Sequence, residues 1–164
     1  FTVHIGTGVF EGLSLVLQCD GPNALGEGGP GKGFDGIKRG CAVQFSFKSH
    51  KENGEPPYQY LGFFVSDDSG LRSNKSHCQY LKDETIFNPT LKSDYSVQLV
   101  IYSDIMICWV DNRIRGKFSN PLIQQMMISS SKWLGVVTTS MSMTPYCALS
   151  NIMIKTEECY GDMH

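Results

Sequence analysis

Four histidines, His4, His50, His77 and His164, are scattered along the chain at no fixed spacing from a cysteine or a carboxylate. No HExxH, GxSxG or Cys/His pairing is present, so neither metal-assisted hydrolysis nor an activated serine or cysteine is written into a local motif. Each histidine therefore reads as a surface or strand residue. Glycoside hydrolysis by two carboxylates needs alternating acids on one strand, about 5–5.5 Å apart across a cleft. The Gln44-Phe45-Ser46 stretch carries none. Asp67-Asp68 and Asp83-Glu84 are adjacent pairs that a strand would point to opposite sides, and they read as solvated turns. The expectation from these residues is a protein that is not an enzyme.

The cysteines, Cys19, Cys41, Cys78, Cys108, Cys147 and Cys159, contain no CxxC pair and no zinc-ligand spacing. An even count in a β-rich chain predicts up to three disulfides and an extracellular or cell-surface location in the secretory pathway; the alternative is buried free thiols. One sequon, Asn74-Lys75-Ser76, lies in a polar stretch, whereas Asn88-Pro89-Thr90 is excluded by its proline. A net charge of −2 gives no sign of a nucleic-acid partner or an anionic membrane. No apolar run approaches the ~18–20 residues of a membrane span.

The most distinctive segment is glycine-rich, Gly21 to Gly36 (GPNALGEGGPGKGFDG). It is not a phosphate loop, because no GK[ST] follows and its flanks read as strands, without a helix to supply an anion-binding end. A flexible linker is the plain alternative. Pro22, Asn23, Leu25, Phe34 and Ile37 are the residues expected to pin it by packing or turn geometry.

The elements that must hold this loop have a period of two. Strands are predicted at 1–5, 12–18, 41–47, 60–65, 95–102, 105–110, 133–140 and 148–156, about eight or nine in all, with an Asp111-Asn112 turn. Asn120-Pro121 to Ile128 is the one helical segment, with Pro121 suited to a first helical position. There are no repeats and no linker, so residues 1–164 read as a single β-sandwich or jelly-roll domain.

The order of the pieces carries further information. Phe10-Glu11-Gly12-Leu13-Ser14-Leu15-Val16-Leu17-Gln18 leads into Asp20-Gly21-Pro22-Asn23-Ala24-Leu25-Gly26-Glu27-Gly28-Gly29. Gly33-Phe34-Asp35-Gly36-Ile37 and Cys41-Ala42-Val43-Gln44-Phe45 follow. This series resembles the L-type (legume-type, concanavalin-like) lectin family, in which an acid–glycine–hydrophobic strand, a GPNALG-GGGG-GYGGI loop and a VAVEFDT strand succeed one another. Tyr60-Leu61-Gly62-Phe63 resembles the family's HIGI and Trp133 to Ser140 its VGFSAST. The resemblance runs over roughly residues 1–156. It implies an all-β, concanavalin-like jelly-roll β-sandwich of two antiparallel sheets. The family's N-terminal strands would then be missing, shortened, or supplied by another segment or chain.

The resemblance also implies a site. In the family an acid before the glycine, on a cis peptide, accepts hydrogen bonds from two sugar hydroxyls; Glu11 stands there, one methylene longer than the usual Asp. The glycine loop donates a backbone N–H, for which Gly28, Gly29, Gly31 and Gly33 are the matching residues. Asn53, and Tyr58 or Tyr60 as an aromatic platform, complete the carbohydrate-binding set. The family's metal ligands are replaced: Gln44 for Glu, Ser46 for Asp and Tyr60 for His, with Asn53 and Glu55 matching the remaining pair. Calcium requires about 6–8 oxygen ligands, several anionic, so no metal and no cofactor are expected. The functional expectation is a metal-independent protein–protein interaction or structural/adhesion module on a lectin-like scaffold. The alternative is a weak, metal-independent carbohydrate-binding domain. The partner would be a protein, a glycan or a glycoprotein, with no nucleic acid and no membrane insertion.

Overall fold

A computed structural model describes residues 1–5, 10–28, 32–48, 51, 54–71, 77–82, 94–128, 131–140 and 147–155. The described residues form β1 (Thr2–Ile5), β2 (Phe10–Gln18), β3 (Gly40–Ser46), β4 (Tyr60–Ser66), β5 (His77–Lys82), β6 (Asp94–Tyr102), β7 (Ile105–Val110), β8 (Arg113–Ser119), α1 (Pro121–Ile128), β9 (Trp133–Ser140) and β10 (Cys147–Ser150). Two five-stranded antiparallel sheets pack face to face, in the orders β10-β1-β6-β7-β8 and β5-β4-β3-β2-β9. The chain is an all-β sandwich.

Alternation explains how the first sheet forms. Tyr95 and Val97 of β6 and Met106, Cys108 and Val110 of β7 point inward, with the residues between them more exposed. They meet Leu13, Val43, Phe45, Leu61, Phe63 and Val65 of the second sheet in one core. The β7–β8 hairpin turns through Asp111 and Asn112, both left-handed at φ 49° and 60°, which suits a two-residue turn between right-twisted strands. α1 begins as its sequence predicts: the Leu122 N–H donates to the Asn120 side-chain oxygen at 3.0 Å, and Ile123 and Met126 enter the core.

The second sheet departs from simple alternation. Every residue of β3 and β4 is buried, although an antiparallel sheet commonly leaves one face to water. The outer face of these strands, carrying Ala42, Tyr60 and Phe64, lies with Val16 of β2 beneath Phe34 and Ile37 of the glycine-rich segment and Leu71. The segment is therefore a third layer over the sheet.

Three expectations change. β5 and β8 are additional strands. The predicted strand at 148–156 stops at Ser150, because Asn151 adopts φ 53° and breaks the extended chain. Cys19, Cys41, Cys78 and Cys108 are free thiols, so three disulfides are not formed. Cys159, the sequon at Asn74, and Asp83-Glu84 lie outside the described residues.

Candidate functional site: the loop-covered face of the second sheet

The glycine-rich segment is anchored at both ends. At its start the Gln18 side chain accepts from the N–H groups of Asp20 and Gly21 and donates to the Gly21 carbonyl at 2.6 Å. At its far side the Glu27 N–H donates to Asp35 O and the Gly33 N–H to Glu27 O, both at 2.8 Å, closing a small loop on itself. The Gly36 N–H donates to Leu71 O, and the Leu71 N–H to Ile37 O. Phe34 is fully buried, its ring centroid 5.2 Å from that of Phe64. Phe34 and Ile37 pin the loop as expected. Leu25 does not, being 92% exposed.

Two glycines are required by close approach. A Cβ on Gly26 would strike the Phe34 backbone. Gly33 combines φ 74° with the Val137 side chain standing where a Cβ would go. Gly28, by contrast, is exposed and faces open space. Gly29, Gly31 and Asn53 lie outside the described residues.

Beneath this loop lies a buried polar cluster. Lys32 adopts φ 54°, unusual for a residue with a side chain, and turns that side chain inward. Its ammonium lies 3.2 Å from Glu55 Oε2, with side-chain exposures of 1% and 0% for the pair. It also donates to Ser46 Oγ at 3.4 Å, and the Ser46 hydroxyl donates to Lys48 O at 2.8 Å. The Tyr60 hydroxyl donates to Gln44 Oε1 at 3.2 Å, while the Gln44 amide nitrogen has no hydrogen-bond partner among the described residues. Burial, and next the Glu55 charge, push the Tyr60 hydroxyl far above the ordinary tyrosine range, so it remains a neutral donor.

Gln44, Ser46, Tyr60 and Glu55 are the positions at which the lectin resemblance places metal ligands, and the structure does bring them together. The cation among them is the Lys32 ammonium, which touches Glu55 and Ser46. Glu55 is the one carboxylate of these four residues, and the other oxygens belong to an amide, a serine and a tyrosine. Among the described residues no three His, Cys, Asp or Glu side chains cluster as a metal set. These residues do not fit a calcium site.

Glu11 lies at the margin of the cluster. The β2–β9 register slips between Phe10 and Gly12, so Glu11 is the extra residue of a β-bulge, a device that re-aims a side chain. Its carboxylate accepts from Lys48 Nζ at 2.9 Å; the side chains are 8% and 43% exposed. The Glu11 carbonyl accepts from the Phe47 and Lys48 N–H groups, which fixes the bulge against the end of β3. None of the described residues has a cis peptide bond. Tyr58 is partly buried against the apolar cluster, with the Lys82 ammonium 5.8 Å from its ring centroid. Tyr60 is buried.

Lys32 and Lys48 were not among the residues the sequence suggested. A lysine amid glycines reads as solvent-exposed, and nothing in the local pattern pairs it with Glu55. No protein-family model matches the chain, and no curated protein matches it.

Proposed function

We propose that this chain is a metal-independent binding module, built on an L-type-lectin-like jelly-roll scaffold, whose partner is a protein. One observation carries the choice: the Glu11 carboxylate is engaged by Lys48 and almost wholly buried, and so is not presented to a pair of sugar hydroxyls. A second feature supports a protein partner. The β2–β9 register sets Leu134 opposite Leu17 and Val136 opposite Leu15, on the face turned toward the other sheet, yet they are 46% and 40% exposed. They lie on an edge strand, where an apolar strip invites a partner.

Carbohydrate binding is the second reading, favoured by the half-exposed Lys48, whose displacement would release the bulge-mounted Glu11. A glycan array run with and without chelator separates the two, alongside pull-downs with wild type and Leu134→Glu/Val136→Glu. The protein reading predicts a blank array and a partner retained by wild type but lost by the double variant. Array signal that survives chelation and disappears in Glu11→Ala would overturn it in favour of the glycan reading.

A further inference from the structure

Three side chains on adjacent strands of the first sheet form a hydrogen-bonded line. β1 pairs with β6 on one side and β10 on the other. His4 stands directly opposite Asp94, while Thr2 stands opposite Ser150, leaving Ser150 on the diagonal from His4. Residues at these positions share one face of the sheet. Asp94 Oδ1 lies 2.8 Å from His4 Nδ1, and Ser150 Oγ lies 2.6 Å from His4 Nε2. An ionised carboxylate only accepts, so Nδ1 carries the proton and donates to Asp94. In the neutral imidazole Nε2 is then the acceptor, and the Ser150 hydroxyl must donate to it. A hydroxyl hydrogen-bonded to a base that a third group orients is the arrangement that activates a serine.

We infer that Ser150 is a nucleophilic serine, with His4 as its general base and Asp94 as the positioning residue that holds the imidazole tautomer. The ligand class is activated acyl and phosphonyl compounds, such as aryl esters and fluorophosphonates. In the acyl case Ser150 Oγ forms a bond to the carbonyl carbon as its proton passes to His4 Nε2. The ester C–O bond breaks, and the leaving phenolate takes that proton from the imidazolium. With a fluorophosphonate, the Oγ–P bond forms, the P–F bond breaks, and fluoride departs with the proton. The face is open: His4 and Asp94 side chains are 32% and 59% exposed. Formation of the adduct, and not turnover, is therefore the property to measure. Asn151, in the left-handed region directly after Ser150, ends the strand there, and its amide donates to Thr2 Oγ1 at 3.4 Å.

The test is the rate and position of labelling by a fluorophosphonate, read by mass spectrometry on the folded protein, with circular dichroism confirming the fold of each variant. The expected result is one adduct, on Ser150, absent in Ser150→Ala. Its rate falls about 10²-fold or more in His4→Gln. It falls less in Asp94→Asn and recovers in part in Asp94→Glu. Ser150→Cys supplies a second readout: iodoacetamide alkylation of the new thiol slows when His4→Gln is added. Labelling of Ser150 no faster than of other exposed serines, or a rate indifferent to His4→Gln, would overturn the inference.

Discussion

At the scale of single residues, the main chemistry of the loop-covered face is charge burial. The Lys32–Glu55 pair is shielded almost wholly from water, where each charge alone would cost several kcal/mol. Removing one member leaves the other uncompensated. Lys32 reaches the pair through a left-handed backbone that costs about 1–3 kcal/mol and persists because the surroundings determine it. Buried thiols behave differently, being kept neutral. Burial and next the proximity of Cys19 push the Cys41 thiol up to about 12, against the opposing Leu17 hydrogen bond; burial pushes Cys108 up to about 12 despite Arg115. Below the ordinary thiol value of 9.0 both folded and unfolded chains hold these protons, and pH has no leverage through them. Above it the unfolded chain releases protons that the folded chain keeps, so stability falls, by about 1.4 kcal/mol per pH unit for each thiol. Urea titrations under reducing conditions between about pH 9 and 10 check this. Cys41→Ala/Cys108→Ala is expected to show a shallower loss than wild type, and identical slopes would refute the assignment.

At the scale of elements, the described part of the glycine loop packs on the second sheet through close approaches that particular glycines permit. Gly33→Ala combines a left-handed φ with a collision at Val137 and is expected to cost about 1–3 kcal/mol; Gly28→Ala, facing open space, is expected to stay within about 0.5 kcal/mol. Denaturant midpoints of the two variants decide, and equal costs would show that the loop yields. The strands legible in the sequence were those with regular apolar alternation, such as β6 and β7. β5 and β8 were missed because polar side chains interrupt their apolar alternation, as in Arg113-Ile114-Arg115-Gly116-Lys117. The site was half legible. Gln44, Ser46, Glu55 and Tyr60 were grouped by resemblance, and they do converge. The central lysine and the Lys48 cap on Glu11 were not, because each depends on a long-range contact between loops that no local period encodes. His4, Asp94 and Ser150 escaped for the same reason: strand register assembles them from distant segments.

At the scale of the whole molecule, the sandwich is a scaffold with two differing outer surfaces. One sheet is roofed by the glycine loop and clasped from within by an ion pair; the other exposes a polar row containing Ser150, His4 and Asp94. In the first, Lys32 supplies a positive charge that ties its own part of the glycine-rich segment to Glu55. The most direct test is the thermal midpoint of the wild type in chelator, in excess calcium and in excess manganese, with Lys32→Ala alongside. The internal clasp predicts one wild-type midpoint in all three conditions. It predicts a loss in Lys32→Ala of about 3–5 kcal/mol, or on the order of 10 °C. A wild-type midpoint raised by either metal, which would report binding to the folded state, or a Lys32→Ala variant as stable as wild type, would contradict it.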